Sequence, residues 1–174
     1  MIRIGRLARF VRGVTMAITV VVALGITPSF AQEPPVFVID LPDGQGCNGF
    51  DLHIEGRGGD HQVFKEFKDK NGNVVRTLQA GKGFALTFQN MSTGAQLALQ
   101  PNGSVIHTTM NPDGSATVAA TGHTVLILFP TDVPAGPSTT LYVGRVVYTV
   151  DTNGVFTIQQ TSGKSTDICA SLSR

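Results

Sequence analysis

Four short segments of the chain, "KNGN" (70–73), "PNGS" (101–104), "NPDGS" (111–115) and "TNG" (152–154), set Asn-Gly or Asp-Gly between runs of apolar residues. Such dipeptides accept the positive φ angles that tight hairpins require. A chain punctuated this often leaves no room for long helices, and no segment shows helical periodicity. It predicts antiparallel strands joined by tight turns.

The runs between the turns alternate as half-buried strands do. Phe84, Leu86 and Phe88 alternate with Ala85, Thr87 and Gln89, and Ala95, Leu97 and Leu99 with Gln96, Ala98 and Gln100. "TVLILF" (124–129) is apolar on both faces and reads as a central, covered strand. "LYVGRVVYTV" (141–150) sets Tyr142, Val146, Tyr148 and Val150 on one face, with Gly144 marking a bulge. Further strands are expected near 36–40, 61–68, 74–78, 104–110, 116–120 and 155–159, about ten in all. The proline-rich "PTDVPAGPS" (130–138) is expected to connect two sheets, and "GRGGD" (56–60) to form a flexible hairpin loop. The expected fold is all-β: an antiparallel β-sandwich, immunoglobulin-like or jelly-roll-like, with a β-barrel as runner-up.

The first 31 residues differ in kind. Arg3, Arg6, Arg9 and Arg12 form a basic region without acids, an apolar stretch runs from Val14 to Ile26, and Ser29 and Ala31 supply small residues before Gln32. The apolar stretch suits a signal-peptide core and is shorter than the roughly 20 residues a membrane span needs. Residues 1–31 are therefore expected to be a cleaved signal peptide, 32–44 a spacer with the first strand, and 45–174 one sandwich domain. The expected destination is extracellular, with no stable membrane insertion after cleavage.

Removing the four leader arginines from 13 basic residues leaves nine against twelve acidic ones, a net charge of −3. A mildly acidic domain argues against nucleic acid and anionic membranes, both of which call for a clustered basic surface. Lys65, Lys68 and Lys70 lie close in sequence, but Glu66 and Asp69 are interleaved with them.

The chain has two cysteines, Cys47 and Cys169. In an exported protein an even count reads first as a disulfide. A zinc site would need further ligands at short spacing, which neither cysteine has, and a nucleophilic cysteine would need an activating partner that the sequence does not display.

The densest ionisable cluster joins His53, Asp60 and His61 with Asp51 and Glu55, and could host acid–base or metal chemistry. No HxH, HExxH or GxSxG pattern occurs, so no catalytic residue is assigned. Asp40, Asp43 and Asp51 fall in or beside "DLPDGQGCNGFD", whose oxygen ligands and glycines make calcium the one cofactor to consider, although the spacing is not that of an EF-hand. The chain lacks Trp, and its two tyrosines, Tyr142 and Tyr148, read as a core wall, so a flat aromatic sugar platform is poorly supported.

In "NPDGSATVAATGHTVLILFPTDVPAGP" (111–137), "CNGFDL" (47–52) and the closing "DICASL" (167–172), the chain resembles a group of uncharacterised secreted proteins of actinobacteria. In that group a cysteine before a Gly-Phe pair and another near the C-terminus flank a β-rich domain. The resemblance implies pairing of Cys47 with Cys169, export and an all-β fold, and supplies no catalytic residue. The functional expectation is a secreted, non-enzymatic protein acting by surface binding, with extracellular polysaccharide or protein as partner, or as a structural component of the cell envelope. The alternative is a small secreted hydrolase with a His/Asp site near 51–61.

Overall fold

The computed structural model describes residues 34–174; the signal peptide expected over 1–31 lies outside the described residues. The strands are β1 (Phe37–Leu41), β2 (Leu52–Gly58), β3 (Gln62–Lys68), β4 (Val74–Lys82), β5 (Phe84–Asn90), β6 (Gln96–Leu99), β7 (Gly103–Met110), β8 (Ala116–Leu128), β9 (Ser138–Val150) and β10 (Phe156–Asp167). A single helical turn, α1 (Ile168–Leu172), closes the chain. The strands form a four-stranded sheet, β1-β2-β5-β6, and a six-stranded sheet, β10-β9-β8-β7-β4-β3, with every ladder antiparallel. The fold is an antiparallel β-sandwich whose sheets do not close into a barrel.

Connectivity reduces this to a simpler object. β2 runs on into β3 through residues 59–61, β4 into β5 through Gly83, and β6 into β7 through residues 100–102. Because β2 pairs with β5 while β3 pairs with β4, and β5 with β6 while β4 pairs with β7, these are long antiparallel strands that change sheet midway. Together with β8, β9 and β10 they make an up-and-down meander of six long strands. In one half all six share a sheet. In the other the meander parts after the Ser104–Gly122 pair, and the two flaps become the layers of the sandwich.

Glycine sets the level of the parting. Gly81, Gly122, Gly144 and Gly163 fall on one line across the large sheet, with Ser104 between the first two. Their φ angles are +140°, +108°, +145° and +97°, values that L side chains rarely adopt. The strands bend there. Ala120 and Leu126, on one face of β8 either side of Gly122, join a single buried cluster with Val146. A straight strand rising about 3.3 Å per residue would hold them roughly 20 Å apart. Gly144 thus belongs to a crease. The irregularity between β9 and β10 lies at Ile158–Gln160 instead.

The larger core fills the space between the two layers: Phe50, Leu52, Ile54 and Phe88 meet Ile168 and Leu172, with Val125, Ile127 and Leu141 packed against them. Cys47 is fully buried in this cluster and bonded to Cys169, with Cα atoms 5.5 Å apart. The smaller cluster sits inside the crease, where Tyr142 and Tyr148 line it as a core wall.

Three hairpins close the single-sheet end. In "DKNGN" and "DTNGV" the carboxylates of Asp69 and Asp151 accept two backbone N–H bonds each, from Asn71 and Asn73 and from Asn153 and Val155. Gly72, Gly114 and Gly154 take φ angles of +86°, +86° and +82°. Bonds from Asn73 to Asp69 and from Val155 to Asp151, foremost among others in each turn, hold both carboxyls below the usual aspartate range.

Several readings need correction. The "GRGGD" segment is not a flexible hairpin loop throughout: Gly56, Arg57 and Gly58 belong to the paired strand β2. Its glycines make room for rings: a Cβ on Gly56 would meet Phe37 at 2.2 Å, and one on Gly59 would meet Phe84 at 2.2 Å. The predicted strands 116–120 and 124–129 are one strand bent at Gly122. "PNGS" is no hairpin but the passage from β6 to β7, and Gly103 takes no positive φ. The 129–137 segment joins neighbouring strands of one sheet, because the buried Asp132 carboxylate folds it back by accepting the N–H groups of Phe129 (2.6 Å) and Phe156 (2.8 Å).

Candidate functional site

The carboxylates proposed for calcium are not brought together. Asp43 Oδ1 accepts the Gly49 N–H (2.6 Å) and Asp51 Oδ1 accepts the Asp43 N–H (2.8 Å), so both shape the 42–51 loop. Asp40 stands on β1 opposite His53 of β2 and accepts from its Nδ1 at 2.5 Å. Among the described residues no group of three or more His, Cys, Asp or Glu side chains is disposed to hold a metal.

The expected His/Asp cluster is likewise divided. His53 is the second residue of β2 while Asp60 and His61 follow its far end, and five residues of strand separate His53 from Gly58 by about 16 Å. His61 and Asp60 approach to 3.7 Å with both side chains nearly four-fifths exposed. His53 instead joins a ladder, Asp40–His53–Glu55–Arg57, with Glu55 to Arg57 at 2.6 Å. The Asp40 hydrogen bond raises the His53 pKa above its ordinary 6.5, and the Arg57 hydrogen bond foremost lowers that of Glu55.

This has a testable sign. A histidine with a raised folded-state pKa contributes stability that is complete below its unfolded value and lost as pH rises through the folded one. Asp40→Asn is therefore expected to destabilise the protein most near about pH 5.5, and the deficit should shrink by about pH 9. Urea unfolding of both proteins at the two pH values checks this; a deficit that is constant or larger at high pH contradicts it.

A cavity lies elsewhere, at the level where the meander parts. It has a volume of about 410 Å³. Phe37, Phe84, Leu86 and Leu99 line it from the small sheet, and Ile106, Val125 and Leu141 from the large one. Phe37 and Phe84 meet edge to face with centroids 5.0 Å apart. The polar lining is Gln62, Gln79, Gln100, Asn102, Ser104, His123 and Thr124. Gln79 Nε2 donates to Gln62 Oε1 across the β3–β4 pair, leaving the Gln79 carbonyl and the Gln62 amide protons available to a ligand.

Two properties distinguish this lining. It contains no Asp, Glu, Lys or Arg. It also includes Thr124, whose Oγ1 is the one buried side-chain N or O atom among the described residues that lacks a hydrogen-bond partner. An orphaned buried hydroxyl costs about 1–3 kcal/mol, and such groups in native structures call for an explanation. None of Asp40, Asp43, Asp51, His53, Asp60 and His61 lines the cavity.

Sequence reasoning missed this site because its residues come from eight strands and two connections. The available signal was a set of amides near the sheet-changing positions, Gln62, Gln79, Gln100 and Asn102, of which only Asn102 falls in an expected turn. Comparison with family models, with curated proteins and with solved structures returns no match for this chain.

Proposed function

We propose that the protein is an exported, non-catalytic binding module whose ligand is a small neutral molecule, mostly apolar and carrying hydrogen-bonding groups at one end. The observation that carries this reading is the cavity of about 410 Å³, whose described lining has no Asp, Glu, Lys or Arg and includes Thr124, a residue with a buried and unpartnered hydroxyl. Its volume falls in the range of small-molecule sites, which are mainly apolar with a few placed polar groups. An ionised ligand would find no Asp, Glu, Lys or Arg among the described lining residues to offset its desolvation, His123 being the one titratable side chain there. The cystine supports an oxidising compartment, and the leader-like N-terminus supplies a route to it.

The test is a thermal-shift panel of medium-chain alcohols, acyl amides and aryl glycosides against fatty acids and alkylamines of equal length. A neutral compound at 100 times its Kd should add about 2.7 kcal/mol, which is several degrees for a domain of this size. Charged analogues should shift little; a flat panel, or one led by charged compounds, overturns the reading. Thr124→Val separates fold from function. Removing the orphaned hydroxyl should stabilise the free protein by about 1 kcal/mol while reducing the ligand-induced shift. A destabilised variant with an undiminished shift would assign Thr124 to packing alone.

A further inference from the structure

The convex face of the six-stranded sheet is a second surface, independent of the cavity. Three residue rows cross it, and the register assigns every position. One runs Val63–Ala80–Val105–Thr121–Arg145–Ser162, the next Lys65–Leu78–His107–Ala119–Val147–Gln160, and the third Phe67–Arg76–Thr109–Thr117–Thr149–Thr157. None of the eighteen positions is a carboxylate. Strand alternation explains how this arises in a chain that reads as charge-balanced here: Glu66 points to the opposite face from Lys65, where it pairs with Lys68 at 3.6 Å. The turn carboxylates Asp69, Asp113 and Asp151 are bonded into their own loops.

Lys65, Arg76 and Arg145 are exposed and form no ion pair among the described residues. Phe67 organises two of them, with Arg76 4.2 Å and Lys65 5.1 Å from its ring centroid. Arg76 and Arg145 stand three strand spacings and four residues apart, which is about 19 Å on a flat sheet. No small anion reaches both. Between them lie Leu78, Val105, His107, Ala119 and Val147 with the hydroxyls of Thr121 and of the row of four threonines, so the face offers hydrogen-bonding groups along its length beside small apolar side chains.

From this we infer that the convex face binds an extended anionic polysaccharide, with Lys65, Arg76 and Arg145 contacting carboxylates or sulfates spaced several sugars apart along the polymer and the threonine row contacting sugar hydroxyls. The probe is polygalacturonate, with dextran as the neutral polymer and vesicles of mixed phosphatidylglycerol and phosphatidylcholine as the anionic bilayer. The oxidised protein should bind polygalacturonate at low salt, release it as salt shortens the screening length towards about 8 Å, and leave dextran unbound. Lys65→Gln/Arg76→Gln/Arg145→Gln should weaken binding about tenfold. Lys68→Gln/Lys70→Gln/Arg174→Gln, with the same change in net charge off this face, should bind like the parent. Failure to bind the polymer, preference for the vesicles over it, or equal weakening by the two triple variants overturns the inference. Melting temperatures within about 2 °C of the parent, as surface substitutions give, show that each variant is folded.

Discussion

Replacing Cys47 and Cys169 together with alanine is expected to lower the stability of the protein by about 5 kcal/mol and its melting temperature by on the order of 15 °C. The bridge spans 122 residues of sequence. Closing so long a loop removes about that much configurational freedom from the unfolded chain in the entropy model. The native state adds a local reason. Cys47 is completely buried, and its partner lies on α1, whose Ile168 and Leu172 fill the larger core. Without the bridge, the five-residue helix is held by its own packing and by the Asp167 cap, whose carboxylate accepts the Ala170 N–H at 2.9 Å. Thermal and urea unfolding of the alanine pair under oxidising conditions measures the effect. A loss below about 1 kcal/mol would mean that the unfolded chain already holds these segments together, contrary to the entropy model.

Legibility in the sequence followed the range of the interaction that fixes each feature. The hairpins at 69–73, 111–115 and 151–155 were readable because three or four adjacent residues determine them, an Asp or Asn opening each turn and a glycine taking the positive φ near its end. The strands around Phe84–Phe88 and Tyr142–Val150 were readable because alternation is a local pattern. β2 was not, because Gly56 and Gly58 break the apolar period. The room that Gly56 leaves is filled by Phe37 and that of the following Gly59 by Phe84, both of which lie far away in sequence. The disulfide was readable from cysteine parity alone, a constraint that requires no three-dimensional information.

The candidate site was hardly legible, and the reason is physical. His53, Asp60 and His61 drew attention because ionisable residues close in sequence suggest chemistry, but an extended strand carries neighbours apart at about 3.3 Å per residue. The cavity is built the opposite way, from residues as distant as Phe37 and Leu141 gathered where six strands bend together. Its polar members are amides and hydroxyls, which in isolation read as ordinary turn and strand-face residues. The cation face was hidden by the same alternation: Lys65 and Glu66 are adjacent in sequence and on opposite sides of the sheet. Only the register separates them.

Since both sites depend on where the meander bends, the glycine row should be the least tolerant part of the sequence. Gly122→Ala is expected to cost about 3–5 kcal/mol, and Gly144→Ala a similar amount. An added Cβ would sit 2.3 Å from the carbonyl oxygen of Gly103 in the first case and 2.2 Å from that of Ser162 in the second. Real Cβ atoms do not approach backbone oxygen so closely, and the clashing atom belongs to a paired strand that cannot move alone. The backbone angles add their own cost, because φ values of +108° and +145° lie where L side chains are disfavoured. The matched control is Gly103→Ala, one step from the crease on the neighbouring strand. It has no positive φ and nothing within 4 Å of an added Cβ, so its expected change is below about 1 kcal/mol. Urea unfolding of the three variants distinguishes a crease that depends on glycine from a sheet that simply tolerates it. If Gly122→Ala and Gly103→Ala behave alike, the strands can bend at this level with an ordinary residue, and the parting of the two layers must be imposed by the cores on either side. If Gly122→Ala instead unfolds the domain while Gly103→Ala leaves it intact, backbone geometry at the crease determines where six strands become a sandwich.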